Sequence, residues 1–150
     1  MEAGENSRPL IVSAGVVLRD SRVMICRRRP EVHNGLKWEF PGGKLEPGES
    51  PEDALRRELD EELDIRVRVG RICDAVLYHY PGKAVLVLFY LCVIEDGEPR
   101  PVDCNAIRWV DPDALATYDF SGADAEFVRR LPGSARTQLR LRIQDKSRGP

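Results

Sequence analysis

Two β-branched apolar runs, Pro9 to Arg19 and Val23 to Arg27, flank the polar Asp20-Ser21-Arg22, and this pattern predicts a hairpin with a short turn. Asn34-Gly35 marks a second turn. The stretch Trp38 to Lys44, with Pro41, Gly42 and Gly43, is too rich in Pro and Gly for a regular element and, with Glu46-Pro47-Gly48-Glu49, reads as a constrained loop. The period then changes. Leu55, Leu59 and Leu63, with Ala54, recur at helical spacing, while Ser50 caps, Pro51 suits the first helical position and Asp53 closes a capping box. Beyond Ile65, Arg66 to Val69 alternates, and Arg71 to Tyr80 and Lys83 to Ile94 form two long strands around Pro81-Gly82. Ala106 to Val110 is a further short strand, Asp111-Pro112 starts a helix containing Ala114 and Leu115, and Ser121 to Leu131 is an amphipathic helix stopped by Pro132-Gly133. Strands outnumber helices and helices do not follow each strand, so the class is α+β, a mixed sheet with segregated helices.

Composition narrows this picture. The chain has 150 residues, 42% of them apolar, which suits one domain with a sizeable core. Its 23 basic and 25 acidic side chains leave a net charge of −2, so no extended basic surface for duplex nucleic acid is expected. The polar start from Met1 to Pro9 lacks the apolar core of a signal peptide, and the longest apolar run, Ala84 to Ile94, is well short of the roughly 20 residues that span a bilayer. A soluble, cytoplasmic protein is the expectation. The domain is placed at residues 1–133, and residues 134–150 form a basic tail. There Leu139, Leu141 and Ile143 alternate with Arg140 and Arg142, giving either an edge strand that joins a partner subunit or a solvated tail, and hence a monomer or a homodimer.

Cys26, Cys73, Cys92 and Cys104 are scattered without a Cys-x-x-Cys pair, so they read as reduced, buried thiols. Neither His33 nor His79 is spaced to share a zinc ion with another His or a Cys. The acidic residues are more informative. Glu58, Glu61 and Glu62 project from one face of the main helix while its leucines face the core. A Glu-rich face alone is usually solvated surface, and like charges so spaced destabilise a helix by a few tenths of a kcal/mol unless a cation offsets them. The preceding loop changes the balance. Gly42-Gly43 permits a tight backbone approach and leads into a helix whose carboxylates could hold magnesium, with water and phosphate oxygens completing its octahedron. Arg57 can fix a carboxylate with its planar fork.

Gly43, five residues, Glu49, seven residues and then Arg57-Glu58-Leu59-Asp60-Glu61-Glu62-Leu63-Asp64-Ile65 resemble the Nudix box, with Asp64 where Gly is usual. Asp tolerates left-handed backbone better than most residues, which keeps a helix-ending turn available. Leu36 to Lys44 resembles the MutT-like branch, and the likeness runs from about Pro9 to Leu131. It implies an α/β/α sandwich around a mixed sheet, and attack of water on a nucleoside triphosphate to give a nucleoside monophosphate and pyrophosphate. It implies Mg2+, or Mn2+, held by Gly43, Glu58, Glu61 and Glu62 with support from Glu49, and oriented by Arg57. Asp103 is the candidate for a further acid near the metal, or else an ordinary turn residue. Arg27 is the candidate for phosphate and Asp124 for the base, with Gly42, Gly43 and Lys44 beside the substrate. Tyr78, Tyr80 and Phe120 either stack a base or belong to the core.

The activity expected first is removal of oxidised or non-standard nucleotides, and second hydrolysis of CTP or dCTP, toward which an ionised, acceptor-only Asp124 leans. ADP-ribose, dinucleoside polyphosphates and capped RNA rank below these. A non-catalytic nucleotide-sensing module is the alternative of a different class, and its expected loss of the metal carboxylates is not seen in this chain.

Overall fold

A computed structural model of the protein describes residues 8–131; the expected basic tail, residues 134–150, lies outside them. Strands β1 (Leu10–Arg19) and β2 (Arg22–Arg27) form the first hairpin, and Asp20 and Ser21 both take positive φ at its turn, as a two-residue hairpin of this hand requires. β1 also runs parallel to β6 (Lys83–Asp96), which pairs antiparallel with β5 (Arg66–Tyr80). The sheet is therefore mixed, as expected.

Two expectations are corrected. The Pro- and Gly-rich segment is not all loop, since it holds β3 (Trp38–Glu39), paired with β2, and β4 (Gly42–Lys44), paired with β1. A β-carbon on Gly42 would overlap the Ser13 carbonyl oxygen, so the absence of a side chain is what admits β4 to the ladder. The strand following the main helix does not break at Gly70 but runs on to Tyr80, absorbing its irregularities as register shifts between Arg66 and Asp74.

Helix α1 (Pro51–Leu63) covers one face, burying Ala54, Leu55, Leu59 and Leu63 against Val17, Met24, Cys26 and Cys92. Each buried leucine contributes about 2 kcal/mol relative to exposure. The other face carries helix α2 (Gly122–Arg129) and, where a helix is expected after Asp111, a short 3-10 helix (Pro112–Thr117). Phe40, Phe89 and Phe127 pack under them, and β7 (Ala106–Val110) extends the sheet beyond β2. The result is the expected sandwich, helices on both faces of a mixed sheet.

Ser50 caps α1 by accepting the Asp53 N–H at 3.1 Å. Asp53 contributes its backbone to this cap, while its carboxylate turns to Arg56 at 2.6 Å. The helix ends on Asp64 in the left-handed conformation, φ 60° and ψ 40°. The turn usually made by Gly is thus made by Asp, whose carboxylate is held by Arg100 at 3.0 Å.

Candidate active site

Ser13 and Gly43 fix where α1 begins and what it faces. The wholly buried Ser13 donates its hydroxyl to the Pro51 carbonyl at 2.8 Å, tying β1 to the first residue of the helix. A β-carbon on Gly43 would overlap the Glu58 carboxylate. Glu58 therefore occupies the space that any other residue at position 43 would fill.

Arg57 organises the acidic cluster. Its Nε and Nη2 donate to Glu49 at 2.7 and 3.0 Å, Nη1 donates to Glu58 at 3.2 Å and Glu61 at 3.4 Å, and Nη2 also reaches the Lys44 carbonyl at 3.0 Å. This fork, with the Glu46 N–H on Glu49 Oε1 at 2.8 Å, holds the Glu49 carboxyl below the usual carboxylate range. The expected ligand set divides here. Glu49 has both oxygens engaged and the exposed Glu61 meets only Arg57 among the contacts described, whereas the less exposed Glu58, which Arg57 also reaches at 3.2 Å, lies near enough to the buried Glu62 to shift its pKa. Burial first, and then the neighbouring Glu58 carboxyl, pushes Glu62 up to about 9.

Two neighbouring carboxyls, one of them pushed toward its neutral form, are a place where a divalent cation can replace a proton. Among the described residues no three His, Cys, Asp or Glu side chains are grouped to hold a metal ion. A pair of hard oxygen donors nevertheless suits magnesium, which typically takes one or two carboxylates and leaves its other positions to water and phosphate. The chemistry of these donors fits the group, which Glu58 and Glu62 would hold.

A cleft of about 600 Å³, lined by β1, β4, β6 and the start of α2, reaches Gly43, the residue against which the Glu58 carboxylate lies. Gly42, Gly43, Lys44 and Asp124 line it. Burial raises the Asp124 carboxyl well above the ordinary range, with the Glu39 charge adding to the effect and the nearby Phe40 backbone opposing it. Asp103 lies close enough to Glu62 to raise its pKa; its N–H donates to the Glu62 carbonyl at 3.2 Å and its carboxylate pairs with Arg29 at 3.4 Å.

Three expected contacts are placed elsewhere. Arg27 turns from the cleft to the Leu36 carbonyl at 3.2 Å and the Trp38 ring; it is Arg28 that lines the cleft, held by the His33 carbonyl and by Glu39, each at 2.9 Å. Phe120 is buried and stacked on Phe40 in the core. Tyr78 is half-buried against Tyr80, and Tyr80 is the ring on the cleft, its hydroxyl accepting the Ala123 N–H at 3.3 Å.

Glu39 was not foreseen. Burial raises its carboxyl against the pull of Arg28, and its charge is felt by both Glu62 and Asp124. It couples the carboxylate pair to the far wall of the cleft. The sequence signal was its place in Trp38-Glu39-Phe40, where a single acidic residue sits between two large apolar ones.

A family model described as the NUDIX domain matches residues 9–131. The 8-oxo-dGTP diphosphatase of Escherichia coli is 30% identical over 125 residues, covering 83% of this chain and 97% of that protein. The CTP pyrophosphohydrolase of the same organism is 30% identical over 113 residues, covering 75% of this chain and 84% of that protein. The MutT NUDIX hydrolase of Burkholderia pseudomallei superposes with a TM-score of 0.74 at 25% identity, covering 84% of this chain and all of that one, 100%. The ORF135 protein of Escherichia coli superposes with a TM-score of 0.72 at 28% identity, covering 91% and 94%.

Proposed function

The chain belongs to the NUDIX family as a MutT-like hydrolase, and on that premise we propose that it is a metal-dependent nucleoside triphosphate pyrophosphohydrolase, releasing a nucleoside monophosphate and pyrophosphate. The observation that carries this reading is the Glu58 carboxylate set against Gly43, which lines a nucleotide-sized cleft, with the buried Glu62 carboxyl as its neighbour. A divalent cation held by that pair would neutralise phosphate charge and acidify a bound water. Phosphoryl transfer asks little else but positioning. Arg57 locks Glu58 in orientation through its contacts with Glu49 and the Lys44 carbonyl. Lys44 and Arg28 bring positive charge to the cleft for the phosphates, and Arg28 is presented by Glu39. Asp103, next to Glu62, is the candidate to accept a proton from the attacking water.

Removal of oxidised or non-standard nucleotides is the first reading, in line with the 8-oxo-dGTP diphosphatase relative. Hydrolysis of CTP or dCTP is the second, supported by the CTP pyrophosphohydrolase relative and by a carboxyl on the cleft at position 124. The raised pKa of Asp124 refines the expectation drawn from the ionised form. A neutral carboxyl donates as well as accepts, much as an amide does, so base preference should depend on pH. The test is pyrophosphate release from 8-oxo-dGTP, dGTP, dCTP, CTP and ADP-ribose by the wild type and Asp124→Asn across neutral to alkaline pH. The expected result is a purine-to-pyrimidine ratio that changes with pH in the wild type and stays flat in the variant. Equal, pH-independent ratios in both would remove Asp124 from base reading, and release of orthophosphate in place of pyrophosphate would contradict the proposed reaction.

A further inference from the structure

Ile72 and Leu77, both on β5, leave 47% and 50% of their surface to solvent. Residues directly opposite each other in a sheet share a face. Ile72 stands opposite Tyr90, Ala75 opposite Leu88 and Leu77 opposite Leu86, and Leu86 is flanked on its other side by Ile11 of β1. Tyr90 and Leu88 pack into the cluster under α1, so the row lies on the α1 face of the sheet, beside the part that the helix covers. Leu86, Leu88 and Ile11 are only partly buried there. Among the described residues β5 pairs with β6 alone and forms the outer strand. An apolar row that runs to an outer strand invites association unless something covers it.

Helix α2 delivers the chain to this row. Just past the helix, Arg130 donates to the Asp74 carboxylate at 3.4 Å and to the Ala75 carbonyl at 3.3 Å, which holds residue 130 against β5 between Ile72 and Leu77. The Ala75 N–H donates to the Asp74 carboxylate at 2.8 Å, so side chains engage both backbone groups of Ala75 and disfavour pairing of a further strand at this residue. The apolar face beside it is open. Beyond Leu131 the sequence continues from residue 132 to residue 150, with Leu139, Leu141 and Ile143 alternating with Arg140 and Arg142. Residues 132–138 reach up to roughly 25 Å when extended, while the step from one face of a sheet to the layer packed on it is about 10 Å. Extended, Leu139 to Ile143 covers about 13 Å and Ile72 to Leu77 about 16 Å, so the two rows match in length. Residues 1–7, which also lie outside the described part, carry only Met1 and Ala3 as apolar side chains.

We propose that residues 139–143 lie across the row of their own chain, with Leu139, Leu141 and Ile143 on Ile72, Leu77 and Leu86, so that the tail seals the open face of β5 and β6 and keeps the molecule a monomer. Removal of apolar surface from water on both sides drives the contact, and the short tether from Leu131 favours it over capture of a separate partner. Arg140 and Arg142 point the other way along an extended segment and stay in water.

Hydrogen exchange read by mass spectrometry on the full chain, with its molar mass from light scattering, tests this without reference to hydrolysis. In the wild type the peptides holding residues 72–79 and 138–144 are expected to be protected in a monomer, and equally so on dilution. The full chain carrying Leu139→Asp, Leu141→Asp and Ile143→Asp together, with residues 8–131 unchanged, should exchange about tenfold faster or more in 72–79, and Leu77→Asp should do the same to 138–144. The triple variant keeps the test decisive if Leu77→Asp fails to fold. Fast exchange of 138–144 in the wild type, or exchange in 72–79 that the triple variant leaves unchanged, would overturn the proposal. So would protection of the row that is lost on dilution as a dimer dissociates, which would assign the row to a second copy of the chain.

Discussion

At the scale of single residues, Gly43 and Glu62 make opposite kinds of demand on the chain. Gly43 has no positive φ to require glycine, so alanine is allowed by its backbone, and the added methyl meets only the movable end of Glu58. Gly43→Ala should therefore fold normally and lose roughly a hundredfold in kcat/KM through displacement of that carboxylate, measured by steady-state turnover beside thermal unfolding. A large loss of stability with unchanged turnover would contradict this. Glu62 titrates near 9 when folded against 4.5 in the unfolded chain. Between those values the folded state binds the extra proton, so its contribution is full below about 4.5 and is lost as pH rises toward 9. Without divalent metal, urea unfolding at about pH 5.5 and about pH 8.5 should show stability falling by an amount on the order of a few kcal/mol. Magnesium, or Glu62→Gln, should flatten that fall. Of these residues the spacing of the Glu and Gly positions was legible in the sequence, because a helix fixes which side chains share a face. The choice of Arg28 over Arg27, and of Tyr80 over Tyr78 and Phe120, was not, because it turns on where a strand ends and how neighbouring rings pack.

Among the elements, α1 carries the most of the account and was also the most readable. Its leucine period, Ser50 cap and Pro51 start are local signals that the tertiary structure had no reason to override. Ser50→Ala should reduce stability by about 1 kcal/mol, the usual value for a lost cap. At the other end, Asp64 holds a left-handed turn with φ 60°, which β-branched side chains resist. Asp64→Val should consequently unfold more easily than Asp64→Gly by about 1 to 2 kcal/mol; equal urea midpoints would contradict this account of the cap. The short strands β3 and β4 were the least readable. Proline and glycine usually end regular structure, and here they allow it, because close approach to Ser13 decides the pairing and that contact is between residues far apart in the chain. Gly70 is the same lesson in β5, where pairing with β6 carries the strand through a residue that would end it alone.

For the molecule as a whole, the sheet joins two parts that the sequence describes separately. One face supports α1 and the carboxylate pair, while the cleft is built from β1, β4 and β6 and closed by the start of α2. Glu39 lies between them and communicates by charge with both Glu62 and Asp124. The box of acidic residues announced the chemistry, but only the folded sheet shows that the wall of the cleft and the carboxylate-bearing helix meet at Gly43. Among the described residues no helix is long and apolar enough to cross a membrane. The claim on which the rest depends is that Glu58 and Glu62 hold a divalent cation for hydrolysis of a nucleoside triphosphate. It is tested most directly by pyrophosphate release from 8-oxo-dGTP and CTP, with and without magnesium, by the wild type and Glu62→Gln, with the variant's fold checked by circular dichroism. Turnover that requires magnesium in the wild type and falls at least about a hundredfold in a folded variant is the predicted result. Magnesium-dependent turnover at the wild-type rate in Glu62→Gln would contradict it.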